Sequence, residues 1–196
     1  MGFPAIMTDM RLFAAIRPPI EVTEHLVRTL RPLRDELGGD LRWGDPDNWH
    51  ITLAFYGEQP EGVVDDLIEH LSVAARMNEE FTIRLKGAGS FNNRNLWIGA
   101  GGDTRQLRQL MADCLIDPDE RKRQRAHFTV ARPSQRMRLR GWDPLIPDLV
   151  RALSVYEGPE WHVDEIELVS SDLGQGRSGG PLYDTRGTLT LASTLV

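Results

Sequence analysis

The sequence predicts an α+β protein that is bilobal, with pseudo-two-fold symmetry, antiparallel sheets lining a central cleft and helices on the outer faces. Three observations predict it. Several strand-like segments alternate apolar and polar residues, as antiparallel sheets with one covered face do. Amphipathic helical stretches are interleaved with those segments. A short pattern, His-x-Thr-apolar-Ala, occurs twice, as HITLAF at His50 and HFTVAR at His127, one copy in each half of the chain.

Taken in order, Arg11–Ile16 reads as a short strand that Pro18-Pro19 ends, and proline suits the first turn of a following helix. Leu26, Leu30, Leu33 and Leu37 then recur at spacings of four, three and four, one stripe of a helix ending at Gly38-Gly39. The turn-rich GDPDNW leads into a strand from His50 to about Tyr56, with Gly57 as its stop. Val63, Val64, Leu67, Ile68, Leu71 and Ala75 mark a second helix. Phe81, Ile83 and Leu85 alternate in a half-buried strand, and NLWIGAGG is another. A third helix covers Thr104–Ile116, with Asp103 as its expected N-cap. The second half repeats the rhythm. RKRQR leads into the strand AHFTVAR, and a looser segment with Pro133, Pro144 and Pro147 ends in a short helix near Asp148–Leu153. WHVDEIELVSSDLG reads as one strand, and the loop GQGRSGG connects it to a last strand, YDTRGTLTLAS.

The 196 residues suit one domain formed of two lobes, with the residues before Met10 as a flexible leader or a misplaced start. Apolar residues at 40% and charged residues at 27% are enough for a sizeable core in a soluble protein. The net charge of -6 argues against broad, non-specific nucleic-acid binding but leaves room for a local basic patch. The single cysteine, Cys114, sits in an apolar helical pattern and reads as a buried bystander. No signal peptide or membrane-length apolar run is present, so the expected location is the cytoplasm and the expected state a monomer. No glycine-rich dinucleotide fingerprint or phosphate-loop lysine occurs, so no cofactor is expected.

In a strand, residues i and i+2 share a face about 6.5 Å apart. His50 and Thr52 therefore share one, with Ile51 and Leu53 turned to the core. His127 and Thr129 share another, with Phe128 and Val130 behind. If the two strands lie together across the lobe interface, two imidazoles and two hydroxyls converge. That set fits phosphate-ester chemistry. A neutral imidazole takes a proton from water, a charged one protonates the leaving oxygen, and the hydroxyls hold the non-bridging oxygens. Two satisfied core histidines are the structural alternative. A zinc site is the other chemical one, but it wants three or four ligands, and Asp45, Asp47 and His162 lack a tight spacing; no metal is expected.

MRLFAAIRPP, RWGDPDNWHITLAFYG, NLWIGAG, AHFTVAR, WHVDEIELVSSDLG and GGPLYD occur in an order that resembles the two-histidine phosphoesterase superfamily, and within it the RNA 2′,3′-cyclic phosphodiesterases first described as 2′-5′ RNA ligases. The resemblance spans nearly the whole chain. It implies hydrolysis of the cyclic phosphate at an RNA terminus to a 2′-phosphomonoester. It implies that His50 is the proton donor, His127 the proton acceptor, and Thr52 and Thr129 the phosphate-binding hydroxyls. A small cyclic nucleotide derivative as substrate, a non-catalytic RNA-end binder, and a reverse 2′-5′ ligation stay open.

Arg121, Lys122, Arg123, Arg125, Arg132, Arg136, Arg138 and Arg140 outnumber Asp117, Asp119 and Glu120 around the second motif. They form either a solvated face or a phosphate rail, with Arg132 reaching the cleft and Arg123 and Arg125 the next phosphate. Phe55, Tyr56, Phe91, Trp97 and Tyr183 are candidates to stack on a base, Tyr183 foremost because it follows the glycine-rich loop. Trp43, Trp49, Trp142 and Trp161 read as packing residues.

Overall fold

The protein is described by a computed structural model covering residues 9–119, 124–139 and 145–193. Two antiparallel sheets organise it. The first, in the order β3-β1-β8-β9, combines β1 (Asp9–Ile16), β3 (Ile51–Pro60), β8 (Glu165–Asp172) and β9 (Leu182–Thr190). The second, in the order β2-β6-β5-β4-β7, combines β2 (Leu41–Trp43), β4 (Phe81–Gly89), β5 (Leu96–Gly102), β6 (His127–Pro133) and β7 (Glu157–Val163). The α+β class and the antiparallel pairing follow the expectation.

The helices cover the sheets in a crossed fashion. Helix α1 (Ile20–Leu37) leaves the first sheet yet packs on β7 of the second, burying Val22, Leu26 and Leu30 of its stripe. Helix α2 (Val64–Met77) covers β8 and β9 through Leu67, Leu71, Ala74 and Ala75. Helix α3 (Thr104–Asp113) packs on β3 and β4. Two short helices follow, α4 (Gln135–Leu139) against β6 and α5 (Leu145–Ala152) against β4 and β5. One continuous core joins these layers, with Ile51 and Leu53 of β3 and Phe128 and Val130 of β6 fully buried in it. Cys114 lies in the same core, where burial pushes its thiol up to about 12. No helix among the described residues is long and apolar enough to cross a membrane.

Local details differ from the sequence reading. Gly57 does not stop β3. It takes a φ of 74° at a register shift against β1, and the strand continues to Pro60. Glycine permits that left-handed residue, so a bulge replaces the break. WHVDEIELVSSDLG is two strands, because the chain turns at Asp164 and passes from the edge of the second sheet to the middle of the first. Asp103 does not cap α3 through its side chain. Its carboxylate accepts from the Thr82 N–H at 3.0 Å while its own N–H donates to the Thr82 carbonyl at 2.9 Å, so it clasps β4 to the head of the helix. The leader expectation falls on residues of which 1–8 lie outside the described ones, and Asp9 already pairs with Pro60.

Candidate active site

His50 immediately precedes β3 of the first sheet and His127 is the first residue of β6 of the second, and these two strands approach each other. Both histidines are held alike. His50 Nδ1 lies 2.8 Å from the Asn48 carbonyl, and His127 Nδ1 lies 2.7 Å from the Arg125 carbonyl. A carbonyl only accepts, so Nδ1 carries the hydrogen in both rings and Nε2 is left for other chemistry. The anchor is the residue two positions upstream in each copy, just before the strand.

Their surroundings differ. His50 Nε2 is 3.1 Å from Thr52 Oγ1. Its ring stacks on Phe13 at 4.8 Å between centroids, and Tyr183 meets it edge-on at 5.3 Å. Burial drives its pKa down to about 4, with Arg17 and His127 adding repulsion; the Asn48 hydrogen bond and Glu167 oppose that shift. The repulsion that His127 exerts on His50 places the two rings in one electrostatic neighbourhood. His127 sits in a different box, edge-on to Phe91 at 5.1 Å and tilted to Trp97 at 5.9 Å. Burial lowers its pKa too, and the Arg125 charge adds to the effect. Gly89 makes the Trp97 position possible, since a Cβ there would come within 2.1 Å of the indole.

The low pKa of His50 gives a stability prediction. An unfolded histidine titrates near 6.5, so below that pH the unfolded chain binds more protons than the folded one. Stability is therefore full above about pH 6.5 and falls as pH drops toward 4, by roughly 3 kcal/mol from this group. Urea unfolding at pH 7 and pH 4.5 should show a smaller loss for His50→Gln than for the unaltered protein. Equal losses would mean that His50 is not held neutral by burial.

Beside the expected Tyr183 and Phe55, the cleft face of the first sheet carries Phe13, Ala15, Val169, Arg11 and Arg17, which were missed in the sequence. Phe13 and Ala15 of β1, Val169 of β8 and Tyr183 of β9 form a small apolar cluster apart from the main core. Arg17, just past β1, donates to Glu167 at 2.7 Å and to the Asp47 carbonyl at 3.3 Å. Arg11 lies over the Phe55 ring at 4.7 Å. Period-two alternation through Arg11, Phe13, Ala15 and Arg17 was the available signal.

On the second sheet, Thr129 pairs with Trp97 and Ala131 with Leu96, so β6 holds one extra residue at Val130. That bulge swaps the parity of the strand. Arg132 thereby joins the face of His127 and Thr129, and its charge acts on Tyr183 across the cleft. Register also sets Arg42 of β2 opposite Arg132, a partner that sequence spacing does not reveal. Neither guanidinium has an acidic partner among the described residues.

Of the other expected site residues, Tyr183 reaches the site, and Arg125 lays its guanidinium over Trp97 at 4.7 Å. Arg123 lies outside the described residues, as do Arg121, Lys122, Arg140 and Trp142. Tyr56 is not placed to stack on a base, because its hydroxyl donates to the Cys114 carbonyl at 2.9 Å. Trp49 and Trp161 are buried packing residues. The possible metal donors do not gather: His162 pairs with Glu80 at 2.8 Å, while Asp45 and Asp47 face Arg177. No group of three or more His, Cys, Asp or Glu among the described residues is placed to share a metal ion.

The model of the LigT like phosphoesterase family matches residues 16–97, which include the first motif. The RNA 2′,3′-cyclic phosphodiesterase of Aeropyrum pernix is 30% identical over 183 residues, covering 86% of this chain and 98% of that protein. The chain belongs to the LigT-like two-histidine phosphoesterase family. Another member that it resembles is the RNA 2′,3′-cyclic phosphodiesterase of Thermus thermophilus, 31% identical over 89% of this chain and 86% of that protein. The fold of LigT from E. coli, solved with phosphate, matches with a TM-score of 0.69 at 24% identity, covering 94% of this chain and 98% of that one. The structure of a Thermus thermophilus protein, TT0787, matches with a TM-score of 0.66 at 27% identity, covering 93% of this chain and 98% of that one. As a LigT-like protein the chain is a hydrolase of the phosphoesterase class.

Proposed function

We propose that the protein hydrolyses RNA 2′,3′-cyclic phosphate termini to 2′-phosphomonoesters, by acid–base catalysis that needs no metal. The observation that carries this reading is the matched anchoring of His50 and His127, each with Nδ1–H on a carbonyl, which turns Nε2 to proton transfer, beside the Thr52 hydroxyl in the case of His50. Water attacks phosphorus and gives a proton to His127 Nε2. The P–O3′ bond breaks, and His50 Nε2–H protonates the departing O3′. The product carries a 2′-phosphate and a 3′-hydroxyl, and exchange with solvent restores both rings. Thr52 and Thr129 donate to the non-bridging oxygens, and Arg132 and Arg42 balance their charge. Tyr183 and Phe13 form an apolar wall for the terminal nucleoside. Arg125, with Arg123 upstream, meets the next phosphate. The names of the relatives support the substrate.

The low pKa of His50 bears on its role. A general acid must be charged, yet burial favours the neutral ring. A phosphodiester anion between the two imidazoles raises both, so the acid limb belongs to the complex. The kcat/KM profile is accordingly a bell displaced to the acidic side of neutral, and the kcat profile lies at higher pH.

Substrate class and hydroxyl roles are tested together. Cyclic-ended oligoribonucleotide and ADP-ribose 1″,2″-cyclic phosphate are compared as substrates. The expected result is a higher kcat/KM on the RNA. Preference for the small ester by more than about tenfold would replace RNA by a small cyclic nucleotide. Thr52→Ala and Thr129→Ala should each raise the barrier by about 1–3 kcal/mol, the worth of one hydrogen bond to a charged group. Unchanged rates would remove the hydroxyls from phosphate binding.

A further inference from the structure

A second concavity opens on the same face of the second sheet as His127. Register puts Gly99 of β5 opposite His127. From there the strand continues through Ala100 and Gly101, so β5 itself contributes no large side chain here. A cavity of about 660 Å³ lies over this stretch, between β4 and β5 on one side and α3 on the other. That volume suits a nucleotide-sized ligand. Its lining includes Lys86, Arg105, Arg108 and Arg125 and, among the described residues, no carboxylate. Gln124 closes one wall, with its amide donating to the carbonyls of Leu53 and Met111 at 2.7 Å each. Lys86 also reaches Glu157 at 3.4 Å, whereas Arg105 and Arg108 have no acidic partner among the described residues.

Arg125 and Trp97 join this cavity to the candidate active site. Both line it. The Trp97 ring is 5.9 Å from His127, the Arg125 guanidinium lies on that ring, and the Arg125 carbonyl holds His127 Nδ1. A trough of positive charge thus begins one aromatic ring from a candidate catalytic histidine, in a protein whose net charge is -6. The acidic remainder of the surface repels a polyanion, so such a local concentration of cations marks where one can bind.

We propose that this trough is a binding site for the RNA strand 5′ to the reacting terminus. Arg105 and Arg108 of α3 contact its phosphodiester oxygens, and Arg125 meets the strand as it leaves the cleft. The proposal rests on the RNA reading above. It adds a polyanion site on α3 that the two motifs do not contain.

The test uses the charge-reversal variant Arg105→Glu/Arg108→Glu and the milder Arg105→Ala/Arg108→Ala. Binding is read by fluorescence anisotropy of a labelled hexaribonucleotide ending in a 2′-phosphate. Hydrolysis is read on a mononucleoside 2′,3′-cyclic phosphate. Both variants should weaken hexamer binding, the reversal by about tenfold or more, and the alanine pair should make the slope of log K against log salt shallower by about 1.4, for two single-strand phosphate contacts. Turnover of the mononucleotide and the melting midpoint of the alanine pair should stay unchanged. Unaltered hexamer affinity and salt slope in both variants would overturn the site. So would equal losses on hexamer and mononucleotide. Absence of all hydrolysis would refute the catalytic reading instead, while hexamer affinity and its salt slope would still decide the trough.

Discussion

Alanine at His127 or at His50 is expected to raise the barrier to cyclic phosphate hydrolysis by about 3–5 kcal/mol, from a lost proton transfer and a lost contact to developing charge. The residual rate should not separate the two residues, since the same transition state needs both. The leaving group separates them. A nitrophenyl phosphodiester departs without help from a general acid. If His50 is the donor, His50→Ala is partly rescued on that ester and His127→Ala is not. The opposite rescue would reverse the assignment. The free protein makes this a sharp test, because the more deeply desolvated ring, His50, is the one assigned the proton. Bound phosphate has to overcome that burial, and His50 against His127 is the comparison that shows whether it does. Full activity in either alanine variant would remove that histidine from the mechanism.

Phe128→Ala is expected to destabilise the protein by about 3–5 kcal/mol. Phe128 separates His127 from Thr129 in sequence but points the other way. It is fully buried, and its ring tilts against Trp161 at 6.5 Å between centroids. Removing it opens a cavity under the strand that carries the second motif. Urea unfolding gives the magnitude, and a change below about 1 kcal/mol would contradict the core placement. Phe128→Leu keeps most of the volume and should retain kcat at a moderate loss of stability. A large fall in kcat with little change in unfolding midpoint would instead make Phe128 part of the phosphate-binding geometry.

The motifs were legible because period two is a local rule. His50 with Thr52 and His127 with Thr129 had to share faces once their segments became strands, and Ile51, Leu53, Phe128 and Val130 had to fill the core behind them. The α1 stripe was legible for the same reason at period 3.6. What sequence spacing could not supply is register between distant strands. Arg42 faces Arg132 only because β2 pairs with β6 and because the bulge at Val130 turns Arg132 toward the cleft. Phe13 stacks on His50 only because β1 lies beside β3. The break at Asp164 was hidden because both strands around it alternate without a glycine or proline between them. Gly57 misled in the opposite direction, because its conformational freedom served a bulge and not an end.

The most direct measurement of the central claim is incubation of chelator-treated protein with an oligoribonucleotide ending in a 2′,3′-cyclic phosphate, followed by phosphorus NMR of the product. The expected product is a 2′-phosphomonoester, formed at a rate that EDTA does not alter. A 3′-phosphate would contradict the assignment of O3′ as leaving group. Loss of activity in EDTA with rescue by a divalent cation would contradict catalysis by the two imidazoles alone. Tight binding of the cyclic end without turnover would contradict hydrolysis itself and make the protein a reader of RNA termini.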